Sequence, residues 1–250
     1  MHTTLAHAPV VRARSRDRTF FSAVAIANAI ILIAGFGYST YARIHLGDAR
    51  FGGPTLSNLV RLHAAVATAW TALLIVQTRL IAAGRIRLHR RLGVAGGVTA
   101  ATVVGLGWVV AVTAVGRFVS AGEPAATMAL RFFILPCQEL AVFTALVGAA
   151  LWLRKRGDYH KRLMLLATIA LIPAATTRPF FPGSLPHTLM MFGLAETGFV
   201  VALCLHDRRM LGHLHAATVW GGGLLLLTAV SRTLVAGTDT WLAVAKGLTG

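Results

Sequence analysis

Five histidines stand where they could ligate a haem iron. His89 and His160 begin two predicted helices in matching contexts, each followed by two basic residues and a leucine. Haem iron takes two imidazoles from facing helices, so His89 and His160 would form one pair. His63 and His187 would form a second pair toward the opposite end, and His215 is a further candidate. The alternative interpretation is that His89 and His160 anchor helix ends to lipid phosphates.

A second group of polar residues lies within predicted apolar helices. Ionisable groups in a hydrocarbon environment are costly, usually face the bundle interior and often mark a functional site. They could form a pocket for a small molecule or an ion, or an internal ion-pair network that only fixes helix register. The group comprises Trp70 and Gln77, on the stripe that His63 begins, with Arg131, Gln138, Glu139, Arg178 and Glu196.

The composition identifies the elements that must position these residues. Of the 250 residues, 56% are hydrophobic and 13% are charged, and the mean hydropathy is +0.70. Soluble domains carry roughly 25% charged residues, and a soluble core of this size cannot bury so much apolar surface. The same figures exclude a disordered chain, a coiled coil and a disulfide-rich secreted domain. We therefore predict an all-α, polytopic membrane protein.

Seven apolar segments are candidates for transmembrane helices, which need about 20 residues to cross a bilayer. We predict one seven-helix bundle over residues 19–240. A basic cytoplasmic tail over 1–18 precedes it, and a short external C-terminal tail over 241–250 follows it. The predicted helices cover residues 20–42, 56–83, 92–116, 127–153, 163–177, 188–205 and 216–236.

Prolines and small residues predict how these helices bend and pack. Pro136 and Pro173 lie inside the fourth and fifth predicted helices, where proline produces kinks. The third helix carries small residues at four-residue spacing, which predicts a face for close helix packing. Those residues are Gly93, Gly97, Ala101 and Gly105.

The net charge of +16 would suggest nucleic-acid binding in a soluble protein. Here two thirds of the Lys and Arg residues fall in the N-terminal tail and in every second connection between predicted helices. The positive-inside rule then places the N-terminus in the cytoplasm and the C-terminus outside. We expect this cytoplasmic collar to contact the bilayer and its anionic lipids rather than nucleic acid.

Three stretches of the chain resemble a widespread family of seven-helix bacterial inner-membrane proteins. They are LHRRLG at 88–93, HKRLMLLAT at 160–168, and a C-terminal run over 215–242 that contains WGG at 220–222. The resemblance implies the seven-helix architecture and an inner-membrane location, without an activity. Glu139 and Glu196 stand where many family members have aspartate. The LHRRLG stretch is also similar to helix starts of transmembrane b-type cytochromes, which implies haem b as a cofactor.

Three classes of function remain open at this point. The first is a haem-binding or redox membrane protein with a membrane redox partner. The second is a small-molecule or ion transporter or binding protein that uses the Arg/Glu pocket. The third is a non-catalytic accessory membrane subunit. The sequence lacks a Walker loop, a GxSxG elbow, a dinucleotide fingerprint and an HExxH motif, so it identifies no catalytic residue.

Overall fold

The computed structural model describes residues 7–47, 56–120, 122–176 and 185–249, with side chains from residue 15 onward except at 38–39 and 185–192. Within these ranges the fold is all-α, with no strand. The elements are α1 (His7–Phe36), a π-helical segment (Gly37–Ala42), α2 (Arg43–Leu46), α3 (Asn58–Ala82), α4 (Ile86–Ser120), α5 (Ala125–Phe132), α6 (Ile134–Trp152), α7 (Gly157–Ile169), α8 (Ile172–Thr176), α9 (Leu185–Leu211), α10 (Ala216–Val235) and α11 (Asp239–Thr249).

Five helical stretches of the described chain are long and apolar enough to cross a membrane. They match five of the seven predicted segments and support a membrane protein. The segment predicted at 163–177 is divided between α7 and α8, and the segment at 188–205 lies within α9. The five stretches are Ser15–Phe36, Asn58–Ala82, Ile86–Ser120, Ala125–Trp152 and Ala216–Val235.

The two predicted proline kinks are present as interruptions just before each proline. Helix α5 ends at Phe132 and α6 begins at Ile134, two residues before Pro136. Helix α8 begins at Ile172, directly before Pro173, after α7 has ended. Proline has no N–H to donate to the carbonyl four residues earlier and its ring clashes there, so the regular ladder stops.

The largest core cluster is formed mainly by α6, α7, α9 and α10, with buried residues of α1, α3, α4 and α8 packed against them. Phe143 of α6 and Leu166 of α7 are fully buried in it. Trp70 of α3 packs edge-to-face on Phe143, with ring centroids 5.1 Å apart. The Trp70 indole also donates to Oγ1 of Thr168, at 3.3 Å. Trp70, which the sequence suggested as part of a ligand pocket, therefore fixes α3 against α6 and α7.

The predicted packing face of α4 is wrong. A Cβ added at Gly93, Gly97 or Gly105 would meet nothing within 4 Å, so these positions have room for a side chain and are not a close helix-packing face among the described residues. The packed face instead carries Gly96 and Gly107, where an added Cβ would meet leucine side chains of α3 and α6 at 3.3 Å and 2.8 Å. The spacing of small residues indicates a helix face on which another helix could pack closely. It does not show which face is in contact, because lipid and the protein interior are equally apolar.

The segment predicted as an external tail over 241–250 forms most of α11, which packs against α5. The Trp241 indole donates to the carbonyl of Leu130 at 3.0 Å, and Ala245 is fully buried. An aromatic ring with a satisfied N–H contributes both apolar contact and a directional anchor. The end of the described chain is therefore part of the packed structure.

Candidate functional site

The basic segments of the chain meet at one end of the bundle. Arg18 of α1 donates to the carbonyl of Ala82 at the end of α3, at 3.0 Å. Asp17 accepts from Lys161 of α7 at 2.6 Å and pairs with His206 of α9 at 3.1 Å. These contacts bring together the start of α1 and the ends of three other helices. We call this end of the bundle, with the connections 83–85, 153–156 and 212–215, the basic end.

His89 and His160 meet at the basic end, as the matched sequence contexts predicted. Their ring centroids lie 6.3 Å apart and their planes are inclined by 78°. Nδ1 of His160 lies 2.8 Å from the backbone carbonyl of Ala150. A carbonyl only accepts hydrogen bonds, so in neutral His160 Nδ1 carries the proton and Nε2 presents a lone pair. This is the tautomer that binds a metal through Nε2.

Gln77 of α3 contacts the ring of His89. In the amide orientation that satisfies both of its groups, Gln77 donates to Nδ1 of His89 at 2.6 Å, and its carbonyl accepts from the N–H of Gly93 at 3.2 Å. Nδ1 of His89 then accepts, and its Nε2 carries the proton. With the amide reversed, the Gln77 carbonyl would accept from Nδ1–H and leave Nε2 free for a metal. Gln77, predicted as a pocket residue, is therefore positioned to select the His89 tautomer.

The separation of the two rings matches that of two imidazoles on opposite sides of one ion. An ion held between two imidazole nitrogens at about 2 Å each places the ring centroids roughly 6 Å apart, close to the 6.3 Å between His89 and His160. A structural zinc ion requires four protein ligands. Among the described residues, no group of three or more His, Cys, Asp or Glu side chains could hold a metal ion. Among the described residues, this position therefore offers two imidazole ligands and no third protein ligand.

Two other candidate histidines, His63 and His215, lie apart from this pair. His215 caps α10: its Nδ1 accepts from the N–H of Ala217 at 3.1 Å, and its Nε2 donates to Asp158 at 3.0 Å. Both ring nitrogens are thus engaged within the protein. The ring of His63 lies between α3 and α4, 3.5 Å from the position of a Cβ on Gly107. The side chain of His187 lies outside the described residues.

A buried ion cluster lies at the basic end next to the histidine pair. Arg162 donates through Nε and Nη2 to Oδ1 of Asp207, at 3.0 Å and 2.5 Å. Oδ2 of Asp207 accepts from Thr218 at 2.5 Å and from the N–H of His215 at 3.2 Å. The Arg162 and Asp207 side chains are 2% and 0% exposed. We call Arg162, Asp207, Thr218, His215 and its partner Asp158 the Asp207 cluster. It ties α7, α9 and α10 together.

A second buried cluster contains two of the predicted pocket residues. Glu196 of α9 faces Arg232 of α10, with Oε2 and Nη1 3.7 Å apart, and both side chains are 1% exposed. Arg232 donates to Gln138 of α6 at 3.4 Å, and Gln138 donates to Ser231 at 3.0 Å. We call these four residues the Arg232 cluster. The sequence identified Gln138 and Glu196 but missed Arg232 as their partner.

Of the remaining predicted pocket residues, Arg131 lies outside the Arg232 cluster. Arg131 binds the end of α10: it donates to the carbonyl of Ala236 at 3.3 Å and lies 3.9 Å from the exposed Asp239. Arg131 therefore holds the C-terminal turn of α10 rather than joining the Arg232 cluster. Glu139 is buried on α6. Arg178 lies outside the described residues.

Comparison of the chain with protein-family models, with curated proteins and with solved structures finds no match. The geometry of these sites is therefore the basis for assigning a function.

Proposed function

We propose that the protein is a membrane redox carrier that binds one haem b between His89 and His160. The observation that carries this proposal is the 6.3 Å distance between the ring centroids of the two imidazoles, which belong to different helices, α4 and α7. The Nδ1 atom of His160 is held by a backbone carbonyl, which is the arrangement that fixes a metal-binding histidine. The resemblance of the LHRRLG stretch to helix starts of b-type cytochromes agrees with this assignment.

The chain's own residues would orient the cofactor and balance its charge. The carbonyl of Ala150 would set the ring orientation and tautomer of His160. Ligation through Nε2 of His89 would require the reversed Gln77 amide, with its oxygen facing Nδ1–H of His89. Arg90 and Arg91 are exposed in the first turns of α4, beside His89, where guanidinium groups can pair with the haem propionates. The bound haem would supply one-electron transfer, and the helices would supply binding, orientation and electrostatics. A membrane redox partner would exchange electrons with it.

The absorption spectrum of the purified full-length chain, produced in haem-supplied cells, tests this proposal. We expect a Soret band and, after dithionite, a reduced alpha band. His89→Ala and His160→Ala should each abolish these bands. His213→Ala is the matched control, because His213 is an exposed histidine at the same end of the bundle. A chain without a Soret band, or bands that survive both ligand substitutions, would contradict the proposal.

We further propose that the chain crosses a bacterial inner membrane seven times, as the resemblance to that family implies. The crossings would be α1, α3, α4, α5–α6, α7–α8, α9 and α10, with the basic end in the cytoplasm. Single cysteines at the exposed Lys155 and Asp239, in a chain whose native cysteines are replaced, test the orientation. Lys155→Cys should react with an impermeant reagent only in inverted vesicles, and Asp239→Cys only in intact spheroplasts. The reverse pattern would contradict the proposed orientation.

A second candidate function is the binding or transport of a small polar molecule or ion at the Arg232 cluster. One observation favours it: Oε2 of Glu196 and Nη1 of Arg232 are buried without a hydrogen-bond partner among the described residues. Thermal unfolding against a panel of small anions, cations and neutral solutes tests it. A stabilising solute should lose its effect in Glu196→Gln and keep it in the exposed control Asp239→Asn. If neither the His89–His160 pair nor the Arg232 cluster binds a ligand, the remaining class of function is the non-catalytic accessory membrane subunit.

A further inference from the structure

An open groove runs between residues 15–26 of α1 and the C-terminal end of α3, at the basic end. Its volume is about 560 Å³. Its polar part is formed by Arg18 and Arg79, with the hydroxyl-bearing residues Ser15, Thr19 and Ser22 beside them, and its apolar part includes Ile26. The groove is separate from His89 and His160, which do not line it.

Among the described residues that line this groove, the two that ionise are both cations. Arg18 and Arg79 supply two guanidinium groups, and no carboxylate lines the groove. One Arg18 nitrogen is used on the carbonyl of Ala82, which fixes that side chain and leaves its other N–H groups for a ligand. Guanidinium groups flanked by hydroxyls are suited to a phosphate, because they offer several charge-assisted donors to its oxygens.

The apolar part of the groove continues along α1. Ile26, Ile30 and Ile33 are exposed by 41%, 61% and 55%. Their spacing of four and three residues places them on one face of the helix. The stripe therefore leads from the two arginines away from the basic end, along a helix that is apolar enough to span a bilayer. A free phosphate would use only the arginines, whereas a phospholipid would use both parts.

We propose that this groove is a binding site for an anionic phospholipid. Arg18, Arg79 and the hydroxyls of Ser15 and Ser22 would hold the phosphate of the headgroup, and the isoleucine stripe would contact an acyl chain. The two cations favour a headgroup with net negative charge, such as that of phosphatidylglycerol, over a zwitterionic one. The site is independent of the haem proposal, since it shares no residue with it.

Native mass spectrometry of the full-length chain in neutral detergent, with added phosphatidylglycerol or phosphatidylcholine, tests the site. We expect preferential binding of phosphatidylglycerol. Each arginine near an anionic headgroup is expected to contribute roughly fivefold in affinity, so Arg18→Gln/Arg79→Gln should weaken phosphatidylglycerol binding about twentyfold or more. Arg85→Gln/Arg87→Gln removes the same charge from exposed positions at the same end and should leave the preference intact.

Three results would overturn the proposal. Equal binding of the two lipids would remove the headgroup selectivity. An equal loss in the Arg85/Arg87 control would show only general attraction to the basic end. Binding of glycerol 3-phosphate as tight as that of phosphatidylglycerol would assign the groove to a free phosphate. If the double variant does not fold, Arg79→Gln alone decides the question, with the expected loss of roughly fivefold.

Discussion

The two buried ion clusters of this protein differ in how completely they are satisfied. In the Asp207 cluster, both carboxylate oxygens of Asp207 accept hydrogen bonds at 2.5 to 3.2 Å. In the Arg232 cluster, the two charged groups are 3.7 Å apart, and the bond from Arg232 to Gln138 is 3.4 Å long. Buried charges are stabilising only where the geometry is good and the remaining donors and acceptors are satisfied. The first cluster therefore meets the requirements of a structural clamp, and the second leaves polar atoms available.

The position of the clamp explains why it matters for the proposed haem site. Arg162 follows His160 by two residues in α7, so the contact with Asp207 fixes the same turn that presents His160. Lys161, between them, is held by Asp17 of α1. The start of α7 is thus fixed to α9 and α1. A ligand histidine on a rigid turn requires little ordering when the cofactor binds.

The largest effect is expected from Asp207→Asn. The substitution leaves the Arg162 cation buried without its counter-ion, which destabilises a protein by about 3–5 kcal/mol. Unfolding of the purified chain in mixed micelles, followed by circular dichroism, measures this change. The control is Asp239→Asn, which removes a 99% exposed partner of Arg131 and should change stability by about 0–1 kcal/mol. A loss no larger than that of the control would show that the Asp207 cluster does not act as a structural clamp.

Packing beside the two clusters predicts a smaller difference. A Cβ on Gly221 would lie 2.7 Å from Leu166, which is fully buried, whereas a Cβ on Gly193 would lie 3.4 Å from Ala229. We expect Gly221→Ala to destabilise the chain by about 1–3 kcal/mol through overpacking. Gly193→Ala should be neutral or slightly stabilising, because alanine favours the helix. Equal melting temperatures for the two variants would show that the bundle is packed no more tightly near the Asp207 cluster than near the Arg232 cluster.

Glu196→Gln should have a weaker effect than Asp207→Asn, although both exchange a buried carboxylate for an amide. The substitution leaves the Arg232 cation buried without its counter-ion, but the contact it removes is a single one at 3.7 Å and Arg232 keeps Gln138 as a partner. We therefore expect a loss of about 1–2 kcal/mol. The same unfolding experiment measures it. A loss as large as that of Asp207→Asn would mean that the Arg232 cluster is also a structural clamp, and would weaken its candidacy as a binding site.

The smallest effect concerns pH. The hydrogen bond from His215 lowers the pKa of Asp158 below its ordinary value, with a partial offset from burial, and the side chain is 56% exposed. A carboxylate with a lowered pKa stabilises the folded state above its unfolded pKa of about 3.9, and this contribution is lost as the pH falls through the folded value. Unfolding at a series of pH values should show a slightly shallower acid dependence in Asp158→Asn below about pH 4. An identical pH profile would exclude this contribution.

Local sequence features predicted the parts of the structure that depend on backbone chemistry and repeated context. Proline lacks an N–H, so the interruptions near Pro136 and Pro173 could be anticipated without knowing any neighbour. The matched contexts of His89 and His160 indicated equivalent positions at helix starts, and the two rings do lie at one end of the bundle.

Long-range pairings could not be predicted in the same way. Asp207 is followed directly by Arg208 and Arg209, yet its partner Arg162 lies 45 residues away in the chain. Arg232 lies in an apolar segment, away from the basic connections of the chain. Its contact with Glu196 depends on how α9 and α10 are rotated against each other. Hydropathy does not encode that rotation, since a helix face toward lipid and one toward protein are both apolar.

The number of haem groups per chain tests the assignment of His89 and His160 most directly. We predict one haem b per purified chain from the pyridine haemochrome spectrum and the protein concentration, and none in His89→Ala or His160→Ala. The His213→Ala control should keep the full content. A wild-type chain without haem would contradict the assignment, and so would two haem groups per chain or a content that both substitutions leave unchanged.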